Sequence, residues 1–273
     1  MALDTRDKLI AALATGLLVP IYKSSIATQA AGYISSLWRA TGSPLWAQGA
    51  IPGAAATPTD ATTGGILLPS FGSNKGYVLR FAPILATIGT CMLCDRLAHM
   101  GGLSGTVTTA QTVNASLATA FSNGRCQEGG QDVQWFVEIY TNIGTTAANL
   151  TVTYTDQADT SGKTVVLTGF SGASPLNQVG RCVPIVPGDG LGIKSIQTVQ
   201  LSVSTGTAGS FGITAVKQLT SVGQMLANIL APSVDAISIG LPEIKETSCL
   251  AMQIQCSTTS TGIVYGEICL GQA

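Results

Sequence analysis

The chain is short of charge. Of its 273 residues 10% are Asp, Glu, Lys or Arg, 13 basic against 14 acidic, for a net charge of −1. So few charges give poor protection against association, which implies a surface largely covered by neighbours. The basic residues are scattered singly, so the electrostatic footprint of a nucleic-acid binder is missing. No stretch reaches the roughly 20 uninterrupted apolar residues of a membrane span. Leu9 to Ile21 has the length of a signal-peptide core, but Asp4 and Asp7 stand where the basic flank belongs. Neither nucleic acid nor membrane is an expected partner.

Chemistry is equally scarce. The single histidine, His99, lies beside the glycine turn Gly101-Gly102 and reads as an exposed loop residue with no nucleophile to serve. There is no GxSxG, since Gly169-Phe170-Ser171-Gly172 has the wrong order. Thr160-Ser161-Gly162-Lys163-Thr164 resembles the end of a P-loop, but Gln157 stands where the first glycine is needed and a β-run follows instead of a helix. Gly188-Asp189-Gly190-Leu191-Gly192 lacks the dinucleotide spacing. Cys91 and Cys94 have zinc-knuckle spacing, yet on a strand residues i and i+3 face opposite ways and no second pair exists. Asp156 and Asp159 sit in a turn where Asp is ordinary. The expectation is a non-enzyme, with no catalytic residues, no metal and no cofactor. Seven cysteines, an odd number in a chain too long to need staples, read as buried free thiols, with inter-subunit disulfides as the alternative.

What the chain does have is strand pattern. Val133, Trp135, Val137 and Ile139 alternate with Gln134 and Glu138. Leu150, Val152 and Tyr154 alternate with threonines, and a Thr164–Leu167 run follows the turn Asp156–Lys163. This predicts a three-strand meander with one wet face. Further short strands separated by Gly/Ser/Thr turns run from Ile66 to the C-terminus, among them Val199 to Val203 and Leu250 to Cys256. The fold class expected is all-β, an antiparallel, jelly-roll-like β-sandwich with a short N-terminal helical segment and an extended arm.

The division expected is residues 1–65, N-terminal helices and a Pro/Gly-rich arm, and residues 66–273, the sandwich. Asp4 is placed to cap a helix from Thr5 to Thr15, ended by Pro20. Ile26, Ala30, Tyr33, Ile34, Leu37 and Trp38 recur at helical spacing after Ser24-Ser25, predicting a second helix. Residues 41–65 are too poor in branched apolar residues to fold by themselves. Tyr33, Leu37, Trp38, Leu45, Trp46 and Ile51 have no strand to join, so they form the candidate interface to neighbouring subunits or a shell. The hairpin tips near Thr160 and Thr259 are expected to face outward.

Ser36 to Pro44 (SLWRATGSP), Leu93 to Leu97 (LCDRL), Thr108 to Asn114 (TTAQTVN), Leu150 to Thr164 (LTVTYTDQADTSGKT) and Pro187 to Ser202 (PGDGLGIKSIQTVQLS) together resemble a family of structural virion proteins of tailed bacteriophages. The likeness runs from about residue 30 to the C-terminus and consists of turn and strand patterns. It implies a virion protein assembled in the host cytoplasm, a capsid decoration or cement protein that forms a homo-oligomer, by preference a trimer, and binds the major capsid protein or other virion proteins. A neck, collar or tail component is the alternative, and a host-glycan-binding attachment module is less favoured.

Overall fold

The computed structural model describes residues 3–43, 46–72, 74–229 and 234–272. Helix α1 (Arg6–Thr15) is followed by β1 (Leu17–Lys23), β2 (Ile34–Ser36), β3 (Gly76–Leu85), β4 (Gly89–Leu103) and β5 (Gln111–Ser116). A single turn of helix, α2 (Ala118–Ser122), leads to β6 (Gln134–Thr141), β7 (Ala148–Asp156), β8 (Lys163–Ser171), β9 (Arg181–Ile185), β10 (Ile193–Leu201) and β11 (Ser210–Gln224). Short β12 (Val234–Asp235) and β13 (Glu243–Ile244) precede β14 (Leu250–Cys256) and β15 (Val264–Gln272). No described helix is long and apolar enough to cross a membrane.

The fold is all-β and antiparallel. Six strands close into a barrel in the order β11-β4-β14-β2-β9-β6. One flank carries the sheet β1-β15-β3-β12, with β13 also on β3; the other carries β5-β10-β7-β8. Strand alternation explains the layering. On β6, Trp135, Val137 and Ile139 point to the core shared with Leu150, Val152, Ile196 and Val199 of the β5-β10-β7-β8 sheet. On β14, Leu250, Met252 and Ile254 point the other way, to Phe81, Val264 and Ile268. The barrel therefore packs a sheet on each side, as a sandwich with a shared filling. Cys91 and Cys94 follow the same rule, one in each of two separate clusters.

Four expectations change. Residues 25–38 form no helix: Ile34 to Ser36 pair with β14 and β9 as the shortest strand of the barrel. Their helical spacing loses to the hydrogen bonds that close the ring. The helix before them is real, but Thr5 caps it, its Oγ1 accepting from Lys8 N at 3.3 Å, while Asp4 pairs with Lys8; it ends at Gly16, and Pro20 belongs to β1. The meander is only a hairpin, since β7 pairs β8 while β6 leaves for the barrel and pairs β11 and β9.

The fourth change concerns residues 1–65, which are not set apart from the rest. β1 pairs β15 throughout its length, and β2 completes the barrel. The glycine-rich stretch is pressed against two indoles: Trp38 Nε1 donates to Ala50 O and Trp46 Nε1 to Gly64 O, both at 2.8 Å. A Cβ on Gly49 would fall 2.2 Å from the Trp38 ring, so glycine is there for close approach rather than for flexibility.

Candidate functional site

Two features stand out for a functional reading: charges sealed in the interior on the two sides of β4, and an uneven distribution of apolar groups on the outside. Inside, neighbouring residues of β4 point to two different networks. Asp95 takes a fork from Arg125, Nη2 at 2.5 Å and Nε at 3.1 Å, and further hydrogen bonds from Ser248 Oγ and Cys249 N at 2.8 and 2.9 Å. Arg96 Nη2 meets Glu138 Oε2 at 2.8 Å and Tyr140 Oη at 2.7 Å, and Thr214 Oγ1 donates to the same Glu138 oxygen at 2.5 Å. The Arg96 guanidinium also lies 4.3 Å from the centre of the Trp38 ring, and its Nε donates to His99 Nδ1 at 3.1 Å.

All four charged side chains are at most 3% exposed. Burial works against the charge of Glu138, but Arg96 and the hydroxyls of Ser36 and Thr214 outweigh it and hold the carboxyl below its ordinary value. Burial likewise opposes the charge of Arg96, and Glu138 outweighs it. His99 has no such compensation: burial, then the charge of Arg96, push it down to about 3, so it is neutral at physiological pH. The expected exposed loop histidine is thus a strand residue 5% exposed, tied to an arginine. Glu138, expected on a wet face, is fully buried. No sequence signal marked either, because both faces of β6 and β4 are covered.

The seven cysteines are all buried free thiols. Burial raises Cys91 and Cys249 to about 12, so these are inert packing groups rather than nucleophiles. Among the described residues no cluster of His, Cys, Asp or Glu could hold a metal ion.

Of the candidate interface residues, Leu37, Trp38 and Trp46 are at most 2% exposed within their own chain, and Ile51 packs beside Trp38. Tyr33 is exposed, under the Arg181 guanidinium at 5.4 Å. Leu45, with Pro44, lies outside the described residues. Leu37 and Trp46 join the core beneath the β1 sheet and Trp38 packs with Tyr140, Cys249 and Ala251, so these residues are core. The tips near Thr160 and Thr259 are exposed.

Exposed apolar groups sit elsewhere. On the outer face of the β1-β15-β3-β12 sheet, Tyr22, Tyr265 and Ile84 form one cross-strand row; Leu18 lies further along β1, opposite Cys269, with the row Pro20, Glu267 and Ala82 between them and Glu267 paired with Arg80, and Leu18 is 52% and Tyr22 42% exposed. Helix α1 covers the far end of that face over Tyr77, Leu79 and Cys269, and itself exposes Ile10 and Leu13. Next to the end of β3, where Asn228 N reaches Leu85 O, Met225 is 87% exposed. The edge of β1 does not invite strand addition: Tyr22 O turns outward to Ser43 N, so Pro20 also faces outward and has no N–H to offer. Contact is left to the side chains of the face. On the opposite sheet the matching row is Thr164, Thr153, Thr198 and Thr112, one threonine from each of four strands, with Val166, 52% exposed, in the next row beside Thr151.

No family model matches the chain, and no curated protein matches it. Among solved structures the chain aligns with the VP2 subviral particle of infectious bursal disease virus at 9% identity, over 94% of this chain and 81% of that one, with a TM-score of 0.18. The T=1 particle derived from the same virus gives 9% identity, 94% and 78% coverage and a TM-score of 0.19. At such scores the likeness carries no argument for fold or function.

Proposed function

We propose that this chain is a structural virion protein, a decoration or cement protein of the tailed-bacteriophage kind, seated on a shell of capsid subunits through the outer face of its β1-β15-β3-β12 sheet. The observation that carries the reading is the lopsided exterior: an aromatic and aliphatic row on one sheet, a threonine row on the other. Monomers rarely leave apolar side chains clustered on one face, and such a patch marks a contact. The sequence resemblance and the low charge agree with it. The sealed networks fit a role in which the protein must be rigid and performs no chemistry, since the lone histidine is neutral and already bonded to Arg96. Self-association as a trimer is part of the proposal, and a neck, collar or tail position is its alternative.

The test is to add purified protein to particles lacking it and measure occupancy by cryo-electron microscopy. Wild type is expected to bind at shell vertices or local symmetry axes, and a Leu18→Glu/Tyr22→Glu double variant to fail. A Thr153→Glu/Val166→Glu variant on the other sheet is expected to bind normally. Normal occupancy of the first variant sinks the assigned face; binding only at the neck or tail moves the protein there.

A further inference from the structure

The side of the molecule built by α2 and the β5-β10-β7-β8 sheet carries a cleft that the assembly reading does not use. It measures about 310 Å³, at the small end for ligand sites, and lies where α2, the turn at Glu128, the β7-β8 hairpin and β10 meet. Its walls hold Phe121, Glu128, Thr155, Asp159, Lys194 and Ser195. Phe121 is 42% exposed, although a large aromatic on a single helical turn gains most by being covered.

The polar groups are arranged with both signs of hydrogen-bonding capacity. Gln197 Nε2 donates to Thr155 Oγ1 at 3.0 Å and to Ser195 Oγ at 2.8 Å, so each hydroxyl is held as an acceptor and keeps its own proton to donate. Lys194 Nζ is anchored at 2.8 Å from both oxygens of Asp159, which positions one ammonium and one carboxylate side by side. Glu128 is exposed and has no ion-pair partner among the described residues. An anion would meet two carboxylates against one ammonium. A simple cation would have to compete with Lys194 for Asp159. A ligand bearing several hydroxyls satisfies both signs at once, because each hydroxyl donates and accepts, and charge-assisted bonds to carboxylates are the stronger ones. An exposed aromatic beside them suits the apolar C–H face of a pyranose ring.

We infer that this cleft binds a neutral saccharide, with the ring against Phe121 and its hydroxyls shared among Glu128, Asp159, Lys194, Thr155 and Ser195. Aromatics make up only 5% of the chain, yet one suitably placed ring suffices for one sugar. The inference does not rest on the assembly reading, and the two fail separately, since the cleft lies away from the Tyr22–Tyr265 row.

The experiment is saturation-transfer NMR on the full chain with a panel of neutral hexoses, N-acetylhexosamines and their disaccharides. At least one is expected to receive saturation, strongest on the carbon-bound protons of a single ring face. Phe121→Ala is expected to weaken that binding about tenfold, the scale of one aromatic contact, and Glu128→Gln several-fold, with occupancy on particles unchanged. Should Phe121→Ala fail to fold, Phe121→Leu keeps the packing, removes the flat face and is expected to weaken binding likewise. No transfer to any neutral sugar overturns the inference, as does unchanged binding in the Phe121 variants. Displacement of a bound sugar by choline or inorganic phosphate at equal concentration overturns it too, since either would show a charge site.

Discussion

The two outer sheets rest on the same barrel, use the same antiparallel pairing and bury comparable cores, yet they face the surroundings differently. Across one runs Tyr22, Tyr265 and Ile84; across the other runs Thr164, Thr153, Thr198 and Thr112. Threonine and tyrosine both suit a strand, so sheet formation does not require the difference. What separates them is the free energy of leaving each in water, small for a threonine hydroxyl and unfavourable for a half-exposed tyrosine or leucine. The fold thus constrains the inner faces and leaves the outer ones to select partners. The barrel between them is the common element, held by ion pairs that no solvent reaches.

The largest expected effect comes from breaking that common element. Glu138→Ala leaves Arg96 buried without its carboxylate and is expected to cost about 3–5 kcal/mol. Denaturant unfolding followed at Trp46, in the core under β1, and at Trp135, in the core under β7, checks it. Coincident transitions in wild type and variant are expected, because both sheets lean on the barrel; separate transitions would make the halves independent. Glu138 also marks the limit of strand alternation as a guide to burial. Alternation on β6 was legible, but a polar residue in the alternate position reads as solvent-facing unless one knows that a second layer covers that face.

Next in size are matched truncations in the two cores. Ile254→Ala and Leu150→Ala each remove a side chain with no exposure, one on either side of the barrel, and are each expected to cost about 2–5 kcal/mol. Equal losses in chemical denaturation would sharpen the view that the two interiors are equivalent and only the exteriors differ. A near-neutral Ile254→Ala would mean that the β1 sheet is completed only on assembly.

Acid tests the filling rather than the sheets. The folded-state value of His99, about 3, lies below its ordinary 6.5, so the unfolded chain binds the extra proton first. This contribution is fully present above about pH 6.5 and is lost as pH falls toward 3, with a slope of about 1.4 kcal/mol per pH unit. Glu138 acts in the same direction at the acid end, since its carboxyl is held low in the fold. Stability measured against pH is expected to flatten between pH 6 and 4 in His99→Gln; an unchanged slope would assign the acid lability elsewhere.

The smallest effect on stability belongs to the surfaces, where the effect on association is expected to be the clearest. Leu18→Glu/Tyr22→Glu and Thr153→Glu/Val166→Glu each alter exposed or half-exposed positions and are expected to stay within about 0.5 kcal/mol per substitution of wild type in denaturation. Occupancy on particles is expected to be lost in the first pair alone. Loss in both, or in neither, would remove the functional contrast between the sheets.

The sequence by itself determined the strand-rich class, the hairpin at Asp156–Lys163, the first helix and the opposite facing of Cys91 and Cys94. These follow from local rules, period two on a strand and turn chemistry, although the helix is capped by Thr5 and not by the expected Asp4. The tertiary structure alone decided that residues 34–36 are a barrel strand, that Trp38 and Trp46 are core rather than anchor, that His99 and Glu138 are sealed, and that the open apolar face lies on β1 and β15. Each of these depends on what packs against a segment from far along the chain. Short segments carry no record of that neighbour, because burial is a property of the pair and periodicity a property of the strand alone.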